Sequence, residues 1–200
     1  MQSVESKILA SVKKRGRGVA FTARTFTHYG DSAVVRKALD NLAKRGTFIR
    51  VARGIYCYPK IDTELGLGVI YPTFDEVAMC IARRDRMLIA PAGDYALNKL
   101  GLSTQVPMNA VYLTNGESRK VAIRNGRSII FKHSAPKNFA FESPFAQLVS
   151  IALRDIGQDK LTTDQLAALK RILLQQPRIS DMDLKLMPVW VKKVITEQYE

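Results

Sequence analysis

The sequence is poor in residues that bind transition metals or form disulfides. Its 200 residues include two cysteines and two histidines. Cys57 and Cys80 lack the CxxC spacing of a metal or redox pair, and neither His28 nor His133 has a cysteine or carboxylate at ligand spacing. We therefore expect no metal and no cofactor. Such low cysteine usage is typical of a reduced, cytoplasmic protein.

Long apolar runs are also missing. No segment approaches the roughly 20 apolar residues needed to span a bilayer. The N-terminal segment carries its cations after its apolar positions and has no small-residue cleavage site, which is unlike a signal peptide. Together these absences predict a cytoplasmic chain without membrane partners.

Catalytic signatures are absent as well. The sequence contains no GxSxG, HExxH, P-loop or GxGxxG motif. Asp181 and Asp183 have a spacing that suits Mg²⁺, but two carboxylates in a polar loop are more typical of helix capping. The turn at 91–94 resembles an anion-binding turn only weakly, because Asp94 repels anions. We expect a protein that is not an enzyme.

What the chain does have is positive charge, and it is unevenly distributed. The whole sequence carries a formal charge of +13, with pI near 9.9. Residues 1–60 contain 13 Lys and Arg against 3 Asp and Glu, which gives +10 and leaves +3 for the other 140 residues. Such a concentration of charge indicates a polyanionic partner, and nucleic acid is the best fit.

The pattern of residues 1–60 predicts three helices and a hairpin. Apolar residues at helical spacing predict a first helix at 4–14, and Thr22 caps a short second helix at 23–28. A third helix begins at Asp31 or Ser32 and ends near Arg45. Two β-rich runs, 47–51 and 55–58, surround a cationic turn at 52–54. This order predicts a winged helix–turn–helix DNA-binding domain at 1–60.

The chemistry of the exposed side chains suggests how this domain contacts DNA. Arginine forks onto guanine and asparagine onto adenine, so Arg36 and Asn41 on the third helix are the expected base-reading residues. Phosphate contacts are expected from other cations and one hydroxyl, namely Lys13, Lys14, Arg15, Arg17, Ser32, Lys37, Lys44, Arg50 and Arg53. The alternative is an ordinary solvated helix face on a winged helix that docks a protein.

The rest of the chain predicts a linker or docking segment at 61–74 and a mixed α/β domain at 75–200. Capping boxes at Thr73–Glu76 and Thr162–Gln165 open helices. Three strands at 110–114, 118–124 and 127–133, joined by Asn115-Gly116 and Asn125-Gly126, predict an antiparallel meander. Helices follow residue 144. The expected fold class is α+β, a winged helix–turn–helix followed by a mixed domain with C-terminal helices.

Several strings resemble the AbiEi-type antitoxins of type IV toxin–antitoxin, abortive-infection systems. In the proposed winged helix they are 21–26, 34–42, 44–46 and 53–56. Beyond it, 92–93, 98–107 and 111–116 are similar to the second domain of that family, and Gly101–Pro107 is the most specific stretch.

The resemblance implies a protein with two roles. Its winged helix binds repeated half-sites in its own promoter and represses transcription. Its second domain acts as the antitoxin against a nucleotidyltransferase-like toxin, without a stable complex. Two alternatives remain open at the level of sequence: a winged-helix protein-interaction module, and a plain transcriptional regulator without a toxin partner.

Overall fold

The computed structural model describes residues 2–124 and 126–199, which form a mixed α+β structure. The chain divides into two compact units. The first unit comprises Met1–Arg86 and Val121–Arg127, and the second comprises Met87–Lys120 and Ser128–Glu200. The α+β class predicted from the sequence is confirmed.

Three helices and a three-stranded antiparallel sheet form the N-terminal part of the first unit. Helix α1 spans Val4–Arg15, a 3₁₀ helix spans Ala23–Tyr29, and α2 spans Ser32–Lys44. The strands are β1 (Ala20–Thr22), β2 (Ile49–Ala52) and β3 (Ile55–Cys57), and β3 lies in the middle of the sheet. The three helices, β2 and β3 follow the predicted order, whereas β1 was not predicted. The second helix is 3₁₀ rather than α, with a non-helical residue at Phe26.

Aromatic rings fill the core between these elements. The ring of Phe21 lies 5.5 Å from that of Phe26 and 5.1 Å from that of Phe48, both in edge-to-face geometry. Ile8 of α1 and Leu39 of α2 are fully buried in the same cluster. Because Leu39 and its neighbours turn one side of α2 inward, the opposite side is left to solvent.

The first unit extends further along the chain than the predicted 1–60 domain. Helix α3 (Phe74–Asp85) was expected to open the second domain, but it packs with its buried Val77, Ala78 and Ile81 in the first unit, next to β1 and β3. The capping box predicted at Thr73 is formed. Without the sheet, this apolar side of α3 would be exposed to water.

The predicted linker at 61–74 contains a hairpin. Strands β4 (Lys60–Asp62) and β5 (Gly68–Ile70) pair antiparallel. A carboxylate oxygen of Asp62 accepts from the N–H groups of Glu64 at 2.8 Å and Leu65 at 3.0 Å, which closes the turn. Leu65 at the tip is 78% exposed.

The second unit is built on a sheet with the strand order β6-β7-β9-β8. Its strands are β6 (Ile89–Ala92), β7 (Asn109–Thr114), β8 (Arg119–Ala122) and β9 (Ser128–His133). Strand β7 pairs antiparallel with β6 and parallel with β9. The predicted antiparallel meander is therefore wrong, because β9 lies between β7 and β8.

The contacts of Asn115 and Gly116 explain this error. The Asn115 side chain accepts from the N–H of Leu88 at 2.7 Å, and the N–H of Gly116 donates to the hydroxyl of Thr114 at 3.0 Å. The turn is thus tied towards β6 and does not fold β8 back onto β7. Asn125, the first residue of the other predicted turn, lies outside the described residues. Next to it, the Ile123 N–H donates to the Arg127 carbonyl at 2.9 Å.

Five helices complete the second unit: α4 (Gly93–Leu100), α5 (Pro144–Ile156), α6 (Thr163–Leu174), α7 (Asp181–Leu186) and α8 (Val189–Gln198). A short 3₁₀ helix, Pro136–Phe139, precedes α5. The predicted capping box at Thr162 is formed.

Two carboxylates of the second unit bind backbone N–H groups. Asp183, 1% exposed, accepts from Glu142 at 2.8 Å and Ser143 at 3.1 Å. Asp155 accepts from Gly93, where α4 begins. Asp183 is therefore a structural acceptor, as the helix-capping interpretation expected, and the N-terminus of α4 is already occupied by an internal carboxylate.

Candidate nucleic-acid interface

The outer side of α2 carries four of the eleven residues predicted to contact DNA. Ser32, Arg36, Lys37 and Lys44 are all exposed. The Arg36 Nε donates to the carbonyl of Ser32 at 3.1 Å, which holds the start of its guanidinium along the helix. In residues 2–124 and 126–199, no carboxylate pairs with these three cations. Their charge is therefore available to an external anion.

Asp40 lies on the same side of α2 but is engaged internally. The hydroxyl of Tyr56, a buried residue of β3, donates to the Asp40 carboxylate. Burial, helped by this carboxylate, raises the pKa of Tyr56 to about 12. The hydrogen bond links α2 to the sheet, so Asp40 helps to position the helix.

Asn41 does not share the outer side with Arg36. Its amide donates to a Glu5 carboxylate oxygen of α1 at 2.9 Å, and Arg45 binds the other oxygen. These two hydrogen bonds lower the pKa of Glu5. At 100° per residue Asn41 lies on the flank of α2 that packs on α1, and its amide is already bound. The base-reading role of Asn41 stays a prediction, and it requires this hydrogen bond to break.

A second group of cations follows the C-terminal end of α1. Lys13, Lys14, Arg15 and Arg17 are all exposed, as predicted. The Arg17 guanidinium stacks 4.7 Å from the Tyr58 ring centre and donates to the Pro59 carbonyl at 3.2 Å. The Arg15 guanidinium lies 5.5 Å from the Phe26 ring. The two arginines are held by aromatic rings, while the two lysines extend from the last turn of the helix.

The turn between β2 and β3 supplies a third group. Arg50 on β2 and Arg53 in the turn are exposed. Gly54, at φ +72°, adopts the left-handed conformation that lets the chain reverse within two residues. The turn therefore projects the Arg53 side chain away from the core.

Two further cations of the first unit were not predicted. The Arg124 N–H donates to the Val51 carbonyl of β2 at 3.2 Å, which brings this arginine beside the β2–β3 hairpin. Arg127 stacks 3.9 Å from the Phe74 ring. More than 50 residues separate each arginine from its contact in the sequence, so no local pattern indicates either position. With them the first unit has 18 Lys and Arg against 8 Asp and Glu, a charge of +10.

Comparison with protein families places most of the chain in one group. Residues 7–182 match the model of a family of unknown function, DUF6088. The chain belongs to this family. No curated protein matches the chain significantly. Among solved structures, the Rv2827c protein of Mycobacterium tuberculosis is similar to this family member, with 15% sequence identity and a TM-score of 0.51 over 98% of this chain and 75% of that protein. At this identity the likeness concerns the fold alone, and it supports the α+β architecture.

The described part of this DUF6088 member contains neither a metal-binding cluster nor a membrane-spanning helix. Within the described residues, no three His, Cys, Asp or Glu side chains are grouped closely enough to hold a metal ion. No helix in the same part of the chain is long and apolar enough to cross a bilayer. Cys57 is fully buried, and burial raises the pKa of its thiol to about 11. A thiol held protonated in this way is a core residue.

Proposed function

We propose that this protein binds double-stranded DNA through its first unit and represses transcription in the cytoplasm. The observation that carries the proposal is the outer side of α2, where Arg36, Lys37 and Lys44 are exposed without carboxylate partners among the described residues. An α-helix of this kind fits the major groove, where an arginine distinguishes guanine from other bases.

The arrangement around α2 supports a winged helix–turn–helix. The order α1, β1, 3₁₀ helix, α2, β2, β3, with β3 central in the sheet, is compatible with that fold. In this interpretation α2 is the recognition helix and the β2–β3 turn is the wing. Arg36 reads a base, while the α1 end, the wing and the remaining α2 cations contact phosphates.

The affinity of such an interface depends strongly on salt. If about six of the exposed cations neutralise phosphates, the affinity falls roughly 1,000-fold between 50 and 200 mM salt. Two half-sites in one promoter need two copies of the first unit, as a dimer or as two monomers side by side.

Promoter binding by single-residue variants tests the proposal. Arg36→Ala is expected to cost about 1–3 kcal/mol and to relax the preference at one base pair. Arg53→Ala is expected to weaken binding to all sequences similarly, because a phosphate contact carries no sequence information. Arg171→Ala, at an exposed arginine in the last turn of α6, is the matched control. Wild-type binding by both first-unit variants rules out groove docking by α2.

The antitoxin role remains a prediction from the resemblance to AbiEi-type proteins. No side chain of the second unit is assigned to it. Growth rescue tests it: co-expression should relieve the toxicity of a nucleotidyltransferase-like protein encoded next to this gene. If the protein binds its promoter but does not rescue growth, it is a plain transcriptional regulator. If it co-purifies with another protein in high salt and after nuclease treatment, a protein-interaction module is favoured.

A further inference from the structure

The first unit contains a cleft whose lining arginines, apart from Arg15, have no place in the proposed DNA interface. Its volume is about 340 Å³, and its walls are the end of α1, strand β1, the start of the 3₁₀ helix and the last turns of α3. Four of its lining residues are arginines: Arg15, Arg24, Arg83 and Arg84. Four positive charges lining one concave site repel each other, and this repulsion destabilises the folded protein unless an anion compensates for it.

The protein itself supplies only part of that compensation. Arg84 forms a two-point ion pair with Asp85, at 2.7 and 3.0 Å. Arg24 donates to the carbonyl of Arg84. Within residues 2–124 and 126–199, no carboxylate pairs with Arg15, Arg24 or Arg83. The helix ends of α1 and α3 add about −0.5 each. The four guanidinium groups contribute +4, the Asp85 carboxylate −1 and the two helix ends together about −1. The net charge around the cleft is therefore about +2.

The remaining charge fits phosphate groups. Guanidinium groups bind phosphate oxygens in pairs, with short, charge-assisted hydrogen bonds. The threonines Thr22 and Thr25 line the same cleft and add hydroxyl groups. The volume lies at the small end of the range for ligand pockets, which suits a compact molecule. A DNA duplex is too wide to enter it.

We propose that this cleft binds a small molecule carrying at least two phosphate groups, of the nucleoside diphosphate or pyrophosphate class. The site is separate from the outer side of α2 and does not require DNA binding. Arg83 is exposed, and Arg24 donates only one of its N–H groups, to the Arg84 carbonyl. Within the described residues neither guanidinium pairs with a carboxylate, so both can bind such a ligand.

Cys80 offers a direct readout of occupancy, because it lines the cleft and is partly exposed. Burial raises the pKa of this thiol, so labelling with a maleimide is carried out at mildly alkaline pH. The full chain is labelled with and without inorganic pyrophosphate, at constant ionic strength, and Cys80 modification is followed by mass spectrometry. Pyrophosphate is expected to slow it saturably, about ten-fold at ten times its Kd.

Two variants and one control decide the outcome. Arg83→Gln and Arg24→Gln are expected to abolish the protection, whereas Arg171→Gln on α6 is expected to retain it. Cys57 is fully buried, and its continued resistance to labelling shows that each variant is folded.

Three results overturn the proposal: no saturable protection of the wild-type chain, equal protection in both folded cleft variants, or protection by duplex DNA but not by pyrophosphate. The last result assigns the phosphates to the DNA backbone. Because the pyrophosphate arm contains no DNA, failure of the DNA-binding proposal leaves its result unaffected.

Discussion

The two units carry similar numbers of carboxylates and use their cations differently. The first unit has 8 Asp and Glu and the second has 10, but the first has 18 Lys and Arg against 13. In both units, carboxylates stabilise local structure: Glu5 and Asp40 position α2, while Asp155 and Asp183 bind helix-terminal N–H groups. Within the described residues, much of the excess charge of the first unit lies in cations that have no carboxylate partner, and this is where our proposal places a polyanion.

The largest expected effect comes from reversing adjacent cations in each unit. The first-unit pair is Arg36→Glu with Lys37→Glu on α2, and the matched second-unit pair is Lys170→Glu with Arg171→Glu on α6, all at exposed positions. The α2 pair is expected to weaken DNA binding about 1,000-fold, because two contacts of about 2 kcal/mol each are lost. The α6 pair is expected to change affinity far less. Equal losses of DNA affinity for the two pairs in a mobility-shift assay would contradict the proposal that DNA binds to the first unit.

A smaller effect is expected on the free energy of unfolding, where substitutions of the two aspartates of α7 should differ. Asp183→Ala leaves the N–H groups of Glu142 and Ser143 without their buried carboxylate and is expected to destabilise the protein by about 3 kcal/mol. Asp181→Ala, at an exposed position on the same helix, is expected to cost less than about 0.5 kcal/mol. Urea denaturation measures both. A similar free energy of unfolding in the two variants contradicts the structural role assigned to Asp183.

The smallest effect concerns Asn41. Asn41→Ala removes the hydrogen bond to Glu5 and is expected to lower the free energy of unfolding by about 1 kcal/mol. The base preferences measured by selection from a random DNA library should stay as in the wild type. A changed preference at an adenine position would instead support the base-reading role predicted for Asn41.

Local sequence patterns predicted which helices and strands form, but they did not predict which of these elements pack together. Helix periodicity located α1 and α2, and the capping boxes located α3 and α6, because these signals depend on residues within a few positions. The membership of α3 in the first unit and the insertion of β9 between β7 and β8 depend on long-range packing, which no local pattern encodes.

The same limit applies to the site. The amphipathic pattern of α2 predicted that its cations are exposed, and Arg36 and Lys37 are exposed in the structure. The internal hydrogen bond of Asn41 escaped prediction because its partner, Glu5, lies 36 residues away in the sequence. The arginine cleft escaped prediction because its members come from three separate stretches of chain, and only folding brings them together.

The salt dependence of promoter binding tests the central claim most directly. Affinity of the full chain for its own promoter is measured between 50 and 200 mM salt, and log K is plotted against log salt. With about six phosphates neutralised by the first unit, we expect a slope near −5 for the wild-type protein. The slope is expected to be shallower by about one for Arg53→Ala and unchanged for Arg171→Ala. A slope near zero, or the same slope in all three proteins, would contradict the account.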